Sequence, residues 1–146
     1  MASRRSNRAV TVVGCGKAKI WDKCPKLGKI QAKDAYTGSL FRLSRLFAEK
    51  HARKNWLILS AKYGLVRPNR RILNYDVTIG SPGATTPQRV RSQWRRLANE
   101  RTVAICLASE NYVRLLRDAL PENVAIKTPL EGLDLFKRTP WLKRHS

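Results

Sequence analysis

The sequence has few acidic residues. Its 10 aspartates and glutamates stand against 30 lysines and arginines, so the 146-residue chain carries a formal net charge of +20. The basic residues extend from Arg4 to Arg144 instead of forming one tail, so the folded surface itself must be basic. Because such a surface releases the counterions of a bound polyanion, nucleic acid is the expected partner, with DNA favoured over RNA. A basic protein without a nucleic-acid role is the alternative.

Cysteine, histidine and long apolar runs are also scarce. The three cysteines, Cys15, Cys24 and Cys106, argue against a disulfide framework and for a reducing compartment. The Cys15–Cys24 spacing and two distant histidines fit no zinc pattern, so we expect neither a metal nor a cofactor. No apolar run is long enough for a signal-peptide core or a membrane span. We therefore expect a cytoplasmic protein that does not bind membranes.

The length suits one folded domain. Residues 1–8 are basic and lack an apolar pattern, so we expect a flexible arm that is able to contact phosphate. Residues 9–146 should form a single α/β domain. Within it, residues 17–35 read as a long loop, and residues 127–146 read as an irregular cap.

Short apolar, β-prone runs alternate with amphipathic segments along the chain. The runs at residues 9–13, 56–59, 102–107 and 123–126 predict four strands. Helices are expected after Thr37 or Ser39, from Pro87, and after a cap at Ser109. This alternation predicts a three-layer α/β sandwich with a four-stranded, mainly parallel sheet. The strand order 2-1-3-4 would place the turns at Cys15 and Ser109 on one crevice, where open α/β sheets bind ligands.

The turn after the first strand has the sequence Gly-Cys-Gly-Lys at residues 14–17. Its glycines can expose backbone amides toward an anion, although the spacing is not that of a Walker loop. They could equally serve only to let the strand end sharply. Cys15 is a candidate nucleophile beside the cations Lys17 and Lys19, or else a small packed residue.

Two acidic residues are candidate catalysts. Asp34 is an acid among many lysines, which suggests that it orients water or stabilises a cationic intermediate. The alternative is that it stabilises a helix N-terminus and pairs with Lys33 or Lys17. Asp76 follows Tyr75, and the two offer a second pair of an acid and an aromatic residue. The alternatives are that Asp76 forms a salt bridge and that Tyr75 only packs over the sheet edge.

The remaining candidates would bind nucleic acid. Tyr36 is expected to stack on a base, and Lys62 and Tyr63 extend from the turn after the second strand. Arg95 and Arg96 lie on the outer face of the second helix and are expected to contact phosphate. The alternative is that this face is only solvated. The full set of expected contacts is Gly16, Lys17, Lys19, Tyr36, Lys62, Tyr63, Arg95, Arg96, Ser109, Asn111 and Pro129.

Several motifs together resemble an uncharacterised family of small bacterial and phage domains. They are Cys15-Gly16 with Lys19, residues 34–41 (DAYTGSLF), residues 58–65 (ILSAKYGL), Tyr75-Asp76, residues 129–133 (PLEGL) and Trp141-Leu142. The resemblance covers residues 12–142 and implies no particular activity.

A more distant similarity is to the uracil-DNA-glycosylase-like superfamily, which includes the central domain of archaeosine-forming tRNA enzymes. It implies a base-binding pocket at the sheet end, with polar catalysis from residues 15–34, stacking by Tyr36 or Phe41, and backbone contacts from residues 128–130. The chain departs from that pattern, with Gly-Lys in the first turn and no histidine in the late loop.

Two main hypotheses follow. The first is an enzyme that acts on a nucleobase or its N-glycosidic bond after flipping the base. The alternative is a non-catalytic DNA- or RNA-binding accessory protein of a phage or mobile element. A third option is a nucleotide-processing enzyme for which the charge is incidental.

Overall fold

A central five-stranded sheet organises the chain in the computed structural model, which describes residues 8–130 and 135–145. In chain order the strands are β1 (Ala9–Gly14), β2 (Ile30–Gln31), β3 (Trp56–Ser60), β4 (Gly64–Val66), β5 (Arg71–Ile72), β6 (Val103–Leu107) and β7 (Ala125–Lys127). The central sheet has the order β4-β3-β1-β6-β7, and β2 pairs with β5 in a separate antiparallel sheet. β3, β1, β6 and β7 are parallel neighbours, so the predicted order of the four parallel strands is confirmed.

The helices lie mainly between the parallel strands. They are α1 (Ala32–Ala35), α2 (Ser39–His51), α3 (Pro87–Leu97), α4 (Glu110–Ala119) and α5 (Leu135–His145). α3 begins as expected with Pro87 in its first turn, and the Thr86 side chain accepts a hydrogen bond from the Arg89 backbone N–H. The N-cap of α2 is Gly38, between the two residues predicted for that position.

Successive residues of the central strands pack on opposite faces of the sheet, as the two-residue period of a strand requires. Val10 and Val12 of β1 share one buried cluster with Trp94 of α3 and Leu116 of α4. Val13 belongs to a second cluster, which includes Phe41 of α2. Helices therefore cover both faces, and the parallel strands are buried as their unbroken apolar runs predict.

The prediction of four strands was wrong because β4 adds a fifth, antiparallel strand at the β3 edge. β4 returns directly from the turn after β3, and Gly64 at its start has φ +73°. A Cβ atom at this position would also collide with the Gln93 side-chain oxygen. A three-residue strand is too short to leave an alternating pattern in the sequence.

Two segments predicted as irregular contain regular structure. Residues 17–35 hold a 3₁₀ turn (Ile20–Asp22), β2 and α1. The turn buries Trp21, whose indole N–H lies 3.0 Å from the carbonyl oxygens of both Leu27 and Gly28. At the other end, α5 replaces the expected cap despite Pro140 inside it, and buries Leu142 in a cluster with Leu107.

The start of the expected basic arm, residues 1–7, lies outside the described residues. Arg8 is held at the sheet, since its carbonyl oxygen accepts hydrogen bonds from the backbone of Thr102 and Val103, each at 3.0 Å. In the part of the chain that the structure describes, no helix is both long and apolar enough to cross a bilayer.

Candidate functional site

A crevice of about 420 Å³ opens where β1 and β6 end, at the point where the chain leaves neighbouring strands toward opposite sides. We call it the sheet-end crevice. Its lining residues are Cys15, Gly16, Lys17, Lys19, Tyr75, Asp76, Val77, Thr78, Ile79, Ser109, Asn111 and Tyr112. Cys15 is fixed at the end of β1, because its backbone N–H donates to the Leu59 carbonyl at 3.0 Å. The turns at Cys15 and Ser109 therefore border one crevice, as the predicted strand order requires.

Four hydroxyls and the Cys15 sulfur form one hydrogen-bonded group. We call its five residues the tyrosine cluster: Cys15, Tyr36, Ser60, Tyr75 and Tyr112. Cys15 Sγ lies 3.1 Å from the Tyr112 hydroxyl and 3.5 Å from that of Tyr75. The Tyr75 and Tyr36 hydroxyls are 2.7 Å apart, and Ser60 donates to the Tyr75 oxygen at 3.0 Å. Two hydroxyls thus contact the thiol directly, and Tyr36 and Ser60 join the group through Tyr75. Backbone N–H groups after β3 orient Ser60 by donating to its oxygen.

The tyrosines of this cluster hold their protons strongly. Burial raises the pKa of Tyr75 far above its usual value, and the neighbouring Cys15 sulfur raises it further. Burial and then Cys15 also raise the pKa of Tyr36 and that of Tyr112. The hydroxyls therefore stay neutral donors at physiological pH. Two of them lie within hydrogen-bond distance of the Cys15 sulfur.

Two lysines supply positive charge to the crevice. Lys19 is only 9 % exposed, and its Nζ lies 4.5 Å from the centroid of the Tyr75 ring. The same ammonium donates to the Lys17 carbonyl at 3.3 Å. The ring face and this carbonyl hold the cation in place, while the exposed Lys17 side chain lies at the mouth. The arrangement suits an anionic group next to the thiol.

The comparison with known proteins identifies a family. A protein-family model described as a family of unknown function, DUF6884, matches residues 10–144. The chain belongs to the DUF6884 family. It is similar to Uncharacterized protein YfjM of Bacillus subtilis (strain 168), with 32% identity over 129 residues that cover 86% of this chain and 85% of YfjM. The resemblance to an uncharacterised family with bacterial members is thereby confirmed, and the distant similarity to the uracil-DNA-glycosylase-like superfamily stays a prediction.

The crevice of this DUF6884 protein brings together many of the residues predicted from the sequence. They are Cys15, Gly16, Lys17, Lys19, Asp76, Ser109 and Asn111. Asp76 is exposed and makes no ion pair with another described residue. Ser109 occupies the N-cap of α4, but its side chain makes no capping hydrogen bond.

Tyr36 lies behind the crevice and has a different role from the one predicted. It is 2 % exposed, its hydroxyl bonds Tyr75, and its ring packs 5.2 Å from that of Phe41. Stacking on a base needs an open ring face, which this buried ring does not provide. The geometry therefore makes Tyr36 a support for Tyr75.

Asp34 lies outside the sheet-end crevice. Its half-exposed carboxylate accepts a hydrogen bond from Arg45 Nη1 at 3.1 Å. Of the alternative reading, the position is right, since Asp34 lies in the first turn of α1. The pairing with Lys33 or Lys17 was wrong, because the partner is Arg45, which projects from the adjacent α2 and also bonds the Lys33 carbonyl at 2.9 Å.

The other predicted contacts also lie outside the crevice. Lys62 Nζ is 5.4 Å from the centroid of the Tyr63 ring, and that ring packs edge-on against Tyr75. Arg95 and Arg96 are exposed on α3. Pro129 is partly buried next to Leu130. These residues form surfaces around the site and do not line it.

Ser60 and Tyr112 are the site residues that sequence reasoning missed. The hydroxyl of Tyr112 contacts Cys15 across 97 positions of sequence. The available signal was positional, since Ser60 ends a parallel strand and Tyr112 lies in the first turn of the helix after another. Within residues 8–130 and 135–145, no group of three His, Cys, Asp or Glu residues is placed to hold a metal ion.

Proposed function

We propose that this DUF6884 protein is a nucleic-acid-binding enzyme that acts on a nucleobase, or on its N-glycosidic bond, in the sheet-end crevice. The observation that carries the proposal is the contact of Cys15 with two protonated tyrosine hydroxyls, beside Lys17 and Lys19, on a chain of net charge +20. A reducing cytoplasm, as proposed from cysteine usage, would keep Cys15 a free thiol.

The crevice has the size and charge for one nucleotide unit. Its volume of about 420 Å³ lies in the usual range of small-molecule sites. Lys17 and Lys19 would bind phosphate while the base enters beside Cys15. Enzymes that act on a base in nucleic acid must take it out of the stack, so the substrate would be single-stranded or flipped.

Asp76 and Cys15 are the groups that the geometry favours for chemistry, in place of Asp34. Asp76 would orient a water molecule that adds its hydroxyl to the sugar C1′ atom while the base leaves with the bonding electrons and takes up a proton. Cys15 would instead add across a carbon–carbon double bond of the base. Its sulfur bonds to one ring carbon as the π bond breaks, a tyrosine hydroxyl donates to the atom that gains charge, and the thiol proton ends on the neighbouring ring carbon, which gives a covalent adduct. Both routes use the crevice, and they differ in the residue that is essential.

The test is to incubate the purified protein with duplex DNA, single-stranded DNA and tRNA, including substrates with modified bases. Mass spectrometry then detects released bases or altered nucleosides. We expect a product that disappears with Asp76→Asn or Cys15→Ser and persists with Asp34→Asn, the matched change at an acid outside the crevice. The absence of any product across the panel would contradict the enzymatic proposal.

A non-catalytic nucleic-acid-binding module is the second candidate, favoured by the outer face of α3. Arg89, Arg91, Arg95 and Arg96 are all exposed there, and none forms an ion pair with another described residue. Arg95→Glu with Arg96→Glu should weaken DNA binding more than the matched pair Lys50→Glu with Lys54→Glu near the end of α2. Strong binding of this kind without a product would favour the module, and equal effects of the two pairs would exclude α3 as the contact face.

A further inference from the structure

A second cavity of about 550 Å³ lies beside the crevice, between the segment at residues 18–24 and the start of α2. We call it the loop cavity. Its charged lining residues are Lys19, Asp22, Lys23, Lys33, Asp34, Arg42 and Arg45. Nothing in the proposed chemistry uses this space.

The loop cavity has more positive charge than its own acids neutralise. Asp22 accepts a hydrogen bond from the Lys19 backbone N–H at 2.8 Å, and Asp34 pairs with Arg45. Lys23, Lys33 and Arg42 form no ion pair with another described residue. Because like charges around one concave space raise the local potential, the cavity attracts an anion.

The loop cavity and the sheet-end crevice adjoin each other. Lys19 lines both of them, and a backbone bridge joins it to Tyr36. Tyr36 borders the loop cavity and Tyr75 borders the crevice, with their hydroxyls 2.7 Å apart. One pair of side chains therefore separates a site for a base from a site for an anion.

We propose that the loop cavity binds the phosphodiester next to the nucleotide in the sheet-end crevice, so that the substrate is a polynucleotide and not a free mononucleotide. This inference rests on the proposed function. A mononucleotide would fill the crevice alone and leave the cations of the loop cavity without a partner. A strand that continues past the Tyr36–Tyr75 pair would give these cations a phosphate partner. The partly buried Ile20, which also lines the loop cavity, would contact its sugar.

The test compares Arg42→Glu with Lys50→Glu. Both positions are exposed on α2, and Lys50 lines neither cavity. The probe is fluorescein-labelled single-stranded DNA of about 12 nucleotides, whose binding is followed by anisotropy. We expect Arg42→Glu to weaken binding by about tenfold or more and Lys50→Glu by less than about threefold. Lys23→Gln with Lys33→Gln should lower the magnitude of the salt slope by about one, because both cations face the same phosphodiester.

A second measurement, with a mononucleotide, distinguishes binding in the crevice from binding in the loop cavity. Thymidine monophosphate, measured by calorimetry, should bind wild type and Arg42→Glu alike and bind Lys17→Glu more weakly, with urea midpoints confirming that each variant folds. Equal effects of Arg42→Glu and Lys50→Glu on the oligonucleotide would overturn the inference and leave the proposed function intact. Binding that depends on Arg42 without any base product would support the second site and contradict the enzymatic proposal. An oligonucleotide that does not bind wild type would overturn both.

Discussion

Tyr75 connects the members of the tyrosine cluster. Its hydroxyl contacts Tyr36 at 2.7 Å, Ser60 at 3.0 Å and Cys15 at 3.5 Å, and the residue is 8 % exposed. Tyr75→Phe would leave buried polar partners incompletely bonded, so we expect a loss of about 1–3 kcal/mol in the free energy of unfolding. Urea denaturation measures it. Tyr63→Phe is the control, because that hydroxyl bonds the Leu73 backbone at an exposed position, and it should cost less than about 1 kcal/mol. Equal losses would contradict the role given to Tyr75.

The buried tyrosines should make the fold sensitive to alkali. Burial raises the pKa of Tyr36 above the ordinary tyrosine value of about 10, so above about pH 10 the unfolded chain loses this proton while the folded chain keeps it. The unfolded state then binds fewer protons, and stability falls as pH rises, by up to about 1.4 kcal/mol per pH unit for each such group. Urea denaturation between about pH 9 and pH 11.5 should give a shallower decline for Tyr36→Phe than for wild type. Parallel declines would exclude this contribution, since lysines affect both proteins equally.

The docking of α5 can be tested directly, and α5 is the longest helix that the sequence did not predict. Leu142 is fully buried with Leu107 and Leu130, against the partly buried Leu40 and Phe47 of α2. Leu142→Ala would leave a cavity in this cluster, so we expect a loss of about 2–5 kcal/mol in the free energy of unfolding by urea. The same change at Leu46, which is 54 % exposed on α2, should be nearly neutral. A small effect at Leu142 would mean that α5 contributes little to stability.

Apolar runs and amphipathic segments could be predicted from the sequence, including the run that contains the three-residue β7, whereas most of the other short elements could not. The four parallel strands and their order followed from apolar runs separated by amphipathic helices. β4 and the elements within residues 17–35 have two to four residues each, too few for a periodic signal. α5 was missed because Pro140 lies inside it, and proline argues locally against a helix. Packing onto α2 outweighs that local preference.

The position of the crevice was also predictable. Parallel strands end on one edge of the sheet, and the predicted order makes β1 and β6 neighbours, so the turns after them border one crevice. The chemistry within it was not. Tyr75 and Tyr112 contact Cys15 across 60 and 97 sequence positions, and no local pattern shows where a hydroxyl lies. Asp34 was predicted to be a catalyst because it is an acid among lysines, but it pairs with Arg45, which is 11 positions away on the next helix.

The charge of the molecule as a whole predicts how it should bind nucleic acid. The crevice, the loop cavity and the outer face of α3 each carry part of the excess positive charge of the +20 chain, so one bound strand can contact several cations at once. If about six phosphates are neutralised on a duplex, the logarithm of the affinity should fall with that of the salt concentration with a slope of about −5. Affinity would then drop about a thousandfold between about 50 and 200 mM salt.

Fluorescence anisotropy at several salt concentrations measures this slope. Variants then show how much of the slope comes from the outer face of α3 and how much from the crevice. Arg95→Gln with Arg96→Gln should lower its magnitude by about two and Lys17→Gln by about one, while Lys50→Gln should leave it nearly unchanged. These neutral changes remove single phosphate contacts without adding repulsion, so each surface contributes to the slope according to the phosphates it binds. A wild-type slope near zero would mean that the positive surface does not bind nucleic acid. The crevice would then be a site for a small nucleotide.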